Sequence, residues 1–142
     1  MKNEYQLCGV CIIWCGGKIV LAERKATSFS GYYGVAGGKI NKGENILDGT
    51  VREVWEETGA YIYKGGLDLI DCYVLDDKKQ KVFIFESGQD IIYFHNIKHT
   101  EPKKLGPWKL YTKEEALKLN LMPYIREYLE NVNVKKFKPI FA

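Results

Sequence analysis

The sequence predicts an α/β fold, a sandwich of helices on a mixed β-sheet, on three observations. The chain has 142 residues, 46% of them hydrophobic and 27% charged. That suits one domain with one core and excludes a disordered chain. Short runs rich in β-branched and aromatic residues alternate with turn residues along most of its length. One long amphipathic helical pattern, Ile46 to Thr58, stands among them.

In chain order, Tyr5 to Trp14 is the first strand. Cys15-Gly16-Gly17-Lys18 is a hairpin turn, because adjacent glycines accept positive φ, and Ile19 to Arg24 returns as the partner strand. Lys25 to Gly31 is a polar loop, and Tyr32 to Ala36 is a short strand that ends at a Gly37-Gly38 loop. Asn45 is a good N-cap, with Asp48 in the capping-box position, and Gly59 is the left-handed stop of the helix. Further strands are expected at Leu67 to Leu75, Val82 to Glu86, Ile91 to Phe94 and Trp108 to Tyr111. Thr112 and Glu115 form a capping box that opens a helix through Leu119, and Pro123 starts a last helix ending near Asn131.

The net charge of +3 is carried by Lys135, Lys136 and Lys138, which follow the last acid, Glu130. Residues 135–142 therefore read as a basic, solvated tail on a single domain spanning 1–142, and the rest carries no net charge. That disfavours nucleic acid as a partner, because such binding needs a basic track. The apolar run Leu7 to Cys15 is too short to span a bilayer and leads straight into a second strand, so no membrane role is expected. Cys8 and Cys11 form a C-x-x-C, but residues three apart on a strand face opposite ways and cannot easily share a metal. Free buried thiols in a reducing, cytoplasmic setting are the expectation.

The long helix carries the chemistry. At about 100° per residue, Glu53, Glu56 and Glu57 fall within roughly one quadrant, while Leu47, Val51, Val54 and Thr58 lie on the core side. Like charges at i,i+3 and i,i+4 repel by a few tenths of a kcal/mol each. Arg52 alone is placed to offset them, and a divalent cation would remove the repulsion. Oxygen-only ligands suit Mg²⁺ or Mn²⁺. Two glycines upstream of the helix let backbone approach a metal or a phosphate closely.

The spacing G-x5-E-x7-R-E-U-x-E-E-x-G-U, with U apolar, is met by Gly38, Glu44, Arg52, Glu53, Val54, Glu56, Glu57, Gly59 and Ala60. It resembles the Nudix box, in a chain whose order of elements is similar to that of MutT-like Nudix hydrolases. Ala60, smaller than the family's usual aliphatic at the final position, and Ala36, where many members have proline, are departures that bear on packing. The resemblance implies an α/β/α sandwich with a loop-helix-loop motif. It implies hydrolysis of a nucleoside diphosphate linked to another moiety, with Mg²⁺ as cofactor and Mn²⁺ as its alternative. By the same resemblance Glu56, Glu57 and the Gly37 carbonyl are metal ligands, Glu53 is a ligand or the general base held by Arg52, and Glu44 is an ion-pair partner.

The segment TEPKKLGPWKLY resembles the E-P-x-K…W segment of MutT-like enzymes, which makes Glu101 a further candidate ligand or base and Trp108 a candidate substrate contact. Arg24, Lys39 and Gly38 are candidate phosphate contacts, and Tyr33 a candidate for stacking on a base. Signatures of the coenzyme A, NADH, ADP-ribose and dinucleoside polyphosphate subgroups are missing. What remains is a (deoxy)nucleoside triphosphate, oxidised forms included, cut to monophosphate and pyrophosphate. The alternatives left open are an RNA 5′-end or cap pyrophosphohydrolase, a nucleotide-sugar or dinucleoside polyphosphate hydrolase, and a non-catalytic nucleotide-binding module. The expected partner is a small nucleotide, with a homodimer also open.

Overall fold

The computed structural model describes residues 4–26, 28–87 and 94–137. Two four-stranded sheets share the core. In the first, strands β1 (Gln6–Ile12), β5 (Ala36–Lys39), β6 (Leu67–Leu75) and β7 (Gln80–Ser87) run in the order β5-β1-β7-β6. β1 pairs parallel with β7 and antiparallel with β5, so this sheet is mixed. In the second, β3 (Lys18–Glu23) pairs with β2 (Trp14–Cys15), β4 (Tyr33–Gly34) and β8 (Lys109–Tyr111).

The expected first strand is thus two. Ile13 separates β1 from β2, and the chain leaves one sheet for the other there. The apolar run reads as continuous because both halves are buried, Ile12 fully and Ile13 at 2% exposure. The expected strand Tyr32 to Ala36 is likewise split, and the glycine pair is not a loop. Gly37 and Gly38 lie within β5, in register with Val10 and Gly9. Of the strand expected at Ile91 to Phe94, residues 91–93 lie outside the described residues, and Phe94 opens a single 3-10 turn.

Alternation along β1 sorts its side chains to two cores. Cys8, Val10 and Ile12 join the cluster under α3 (Pro123–Asn131) with Ile125 and Leu129. Cys11 joins the opposite cluster, where α1 (Ile46–Thr58) packs Val51 and Val54. The two C-x-x-C thiols therefore sit on opposite faces of the sheet, as the strand spacing predicts. The layers are helix, sheet, helix. The capping box of Thr112 and Glu115 forms as predicted and opens α2 (Lys113–Leu117). Part of the presumed tail belongs to the core: Phe137 is 1% exposed and stacks on Trp14 with centroids 4.9 Å apart. An aromatic ring outweighs its charged neighbours here, and Lys135 stays exposed. No helix among the described residues is long and apolar enough to cross a membrane.

Candidate active site

Helix α1 is fixed at both ends. Asn45 Oδ1 accepts from the N–H groups of Leu47 and Asp48, and Gly59 closes the helix in the left-handed conformation at φ 70°. Asp48 makes an ion pair with Lys64 at 2.9 Å. Gly9 on β1 lets the helix settle on the sheet, because a Cβ there would collide with Thr50 Oγ1. The four carbonyls left over at the last turn all find donors. Gly59 N–H serves Trp55, Thr100 Oγ1–H serves Glu56, Trp108 Nε1–H serves Glu57 and Lys98 N–H serves Thr58. Three of these donors come from the segment before β8, so the helix end itself draws that loop to the acidic face.

With the apolar side buried, the three glutamates emerge in graded environments. Glu57 is buried at 5% exposure, Glu53 is half-buried and Glu56 is exposed. Arg52 binds them into a network. Its Nη1 donates to Glu53 Oε1 at 3.0 Å and to Glu56 Oε2 at 2.7 Å. Its Nε and Nη2 grip Glu44 at 2.8 and 3.0 Å, and Nη2 also reaches the Lys39 carbonyl at 3.0 Å. The guanidinium and the Asn41 N–H together pull the Glu44 carboxyl down to about 2. Glu44 is thus ion-paired with Arg52 and orients it through a bidentate fork.

Glu57 has a different support. Its Oε1 accepts from the Gly37 N–H at 2.9 Å, and its Oε2 lies 4.0 Å from Lys104 Nζ. Burial pushes its carboxyl up to about 7, opposed by the Gly37 bond and the Lys104 charge and reinforced by Glu101 and Glu53. Both glycines of β5 are needed at close quarters. Gly37 has φ 153°, and a Cβ there would meet the Gly9 carbonyl and Val10 backbone. A Cβ on Gly38 would strike the Glu53 carboxylate.

Glu53 and Glu57 open onto a cavity of about 450 Å³. Arg24, Lys39 and Lys104 line it together with Gly37 and Gly38. The structure therefore brings together most of the residues the sequence singles out. Glu101 sits beside this group, 3.5 Å from Lys104 through Oε2. Two of the candidate substrate contacts stand off this cavity. Trp108 is 6% exposed in the α1-side core, held there by its bond to the Glu57 carbonyl, and does not line the cavity. Tyr33 packs edge-on against Tyr111 at 6.2 Å and is also absent from the cavity wall. The aromatic wall is made by Phe29 and Tyr124 instead, with Met122 beside them. Sequence reasoning misses these because they come from a loop and a distant helix. Lys104 lies inside the EPKK segment, three residues after Glu101.

Among the described residues no three His, Cys, Asp or Glu side chains form a ready-made metal cage. Glu56 leans on Arg52 and Glu57 on Gly37. The donor chemistry nevertheless fits a hard divalent cation: oxygen atoms only, one of them in a buried carboxyl whose ionisation a cation would favour.

A carboxylate-bearing helix, a glycine strand beneath it and a cation-lined cavity, set in a helix-sheet-helix frame, define a Nudix-type domain. The NUDIX domain family model matches residues 7–132, and the chain belongs to that family. Hydrolases of this family act on phosphoric anhydrides of nucleotide derivatives and generally use divalent metal ions. An uncharacterized Nudix hydrolase, YvcI of Bacillus subtilis, is 28% identical over 98 residues, 67% of this chain. The match spans 60% of that relative's length. The crystal structure of a MutT protein from Methanosarcina mazei superposes with a TM-score of 0.73 at 25% identity, covering 92% of this chain and 94% of that one. The NUDIX domain of Shewanella oneidensis NrtR, crystallised with ADP ribose, has a TM-score of 0.73 at 14% identity, covering 92% and 86%. At that identity the likeness speaks for the fold alone.

Proposed function

We propose that this protein hydrolyses the pyrophosphate bond of a (deoxy)nucleoside triphosphate, oxidised nucleotides included, to the monophosphate and pyrophosphate. The observation that carries the reading is the juxtaposition of the buried Glu57 and the half-buried Glu53 with three cations, Arg24, Lys39 and Lys104, around one cavity. A polyphosphate needs its charge neutralised along its length, and a water molecule needs a base beside it.

Glu56, Glu57 and the Gly37 carbonyl are the groups that would hold Mg²⁺, with Mn²⁺ as substitute, and Glu101 is an additional candidate. A cation held there would supply charge neutralisation and would make a water molecule easier to deprotonate. The remaining roles fall to the chain's own groups. Arg52 occupies Glu53 Oε1, which leaves Oε2, the oxygen above Gly38, to take the water's proton. The absence of a side chain on Gly38 keeps that oxygen open to the cavity. Arg24, Lys39 and Lys104 offer positive charge to the phosphates, and Phe29 and Tyr124 offer ring faces to a base. Three of the four cysteines, Cys8, Cys11 and Cys15, are buried, which supports a reducing, cytoplasmic setting.

A substrate panel tests the reading. It should include canonical and oxidised nucleoside triphosphates, ADP-ribose, nucleotide sugars, dinucleoside polyphosphates and capped RNA, with Mg²⁺ or Mn²⁺. Release of pyrophosphate from a triphosphate is the expected result. Preferential cleavage of capped RNA or of ADP-ribose would replace it.

A further inference from the structure

We propose that Lys104 is a tethered counter-ion of the carboxylate cluster, one that stands in for part of the divalent charge and must be displaced when the metal binds. The inference rests on the metal-dependent reading above. Lys104 Nζ lies between two carboxylates that come from different parts of the chain, 4.0 Å from Glu57 Oε2 and 3.5 Å from Glu101 Oε2. Two other nearby cations are differently engaged. Arg52 is committed to Glu44, Glu53, Glu56 and the Lys39 carbonyl, and Arg24 Nε donates to the Ser28 carbonyl at 3.2 Å.

The backbone of Lys104 is anchored and its side chain is not. Its N–H donates to the Glu101 carbonyl at 3.0 Å, and its carbonyl accepts from Lys25 at 2.8 Å. The next residue, Leu105, is buried and bridges to Arg24. The side chain itself is 54% exposed, whereas that of Glu57 is 7% exposed. The ammonium is thus delivered to a fixed neighbourhood from the solvent side on a flexible stem. Both separations exceed a close charge-assisted hydrogen bond. A lysine is suited to this part, being a compact point charge that needs no fixed fork geometry.

Two consequences follow. The ammonium eases the repulsion among Glu53, Glu57 and Glu101 in the metal-free protein. It also repels an incoming divalent ion, whose binding is therefore weaker than the carboxylates alone would give. A polyphosphate in the same cavity offers the displaced ammonium a new partner, so nucleotide and metal each favour the other's binding.

The test is calorimetric titration of Mn²⁺ into the full chain without nucleotide, comparing wild type with K104M and K104R. Loss of a neighbouring positive charge should tighten binding in K104M by about threefold to tenfold. K104R, which keeps the charge, should stay near wild type. Equal or weaker binding by K104M overturns the inference, as does K104R behaving like K104M. If Mn²⁺ binds none of the three proteins, the metal reading itself fails and takes the inference with it. Unchanged Mn²⁺ binding across all three overturns the counter-ion role alone.

Discussion

The Glu57 carboxylate accepts a hydrogen bond from the Gly37 N–H at 2.9 Å, tying the acidic helix α1 to the glycine strand β5 across 20 residues of chain. This bond joins the strand that leads into the Nudix box to the helix that carries its glutamates. It holds one carboxylate oxygen and leaves the other on the side of Lys104. The two glycines of β5 should therefore fail in different ways.

Gly37→Ala places a methyl on backbone atoms of Gly9 and Val10 at a positive φ, so β5 itself has to move. We expect a loss of about 3 kcal/mol or more in unfolding free energy. Gly38→Ala meets the flexible Glu53 carboxylate instead, so stability should fall by less than about 1 kcal/mol. Its turnover should fall by about 100-fold, the scale of a displaced reacting group. Chemical denaturation paired with steady-state kinetics separates the two.

Arg52→Lys keeps a charge and loses the fork that reaches Glu44, Glu53 and Glu56 together. Turnover should drop about 10- to 100-fold, as for residues that orient metal-site ligands. The KM should change little, which initial-rate measurements over nucleotide concentration will check.

The Glu57 carboxyl sits near 7 in the metal-free protein, raised chiefly by burial from 4.5. The folded state therefore holds a proton that the unfolded state releases. This contribution to stability is complete below about pH 4.5 and declines as pH rises through about 7, by on the order of 3 kcal/mol. Glu57→Gln should flatten that part of the stability–pH curve. In wild type, metal binding below pH 7 should release about one proton, and apparent metal affinity should climb with pH and level off above that point. Calorimetry in buffers of different ionisation enthalpy reads the proton count.

Trp108→Phe removes the Nε1–H donor from the Glu57 carbonyl and keeps most of the packing. Thermal unfolding should show a loss of about 1–2 kcal/mol. The nucleotide KM should stay as it is, since the indole is in the core and not on the cavity wall. A large KM effect would return Trp108 to the role of a substrate contact.

What was legible in the sequence is what local chemistry decides. Asn45 and Gly59 set the ends of α1, Pro123 sets the start of α3, and the strand Leu67–Leu75 is found at its observed limits. The shared quadrant of Glu53, Glu56 and Glu57 also follows from helical period alone. The differences among the three do not. Burial of Glu57 depends on β5 and on a loop more than forty residues away that caps the helix end. The sheet switch at Ile13 is hidden because both sheets bury their share of one apolar run. Phe29 and Tyr124 reach the cavity through tertiary packing, which no local pattern announces. The lysines around Phe137 give its segment a solvated look, although its ring stacks on Trp14.

The central claim is that the α1 carboxylates carry out metal-dependent cleavage of a polyphosphate. The most direct measurement is turnover of a nucleoside triphosphate by Glu57→Gln at saturating Mg²⁺, with products resolved by phosphorus NMR and folding checked by circular dichroism. The account predicts a folded variant whose pyrophosphate release is at least about 100-fold slower than wild type. Near wild-type release by the folded variant would contradict it.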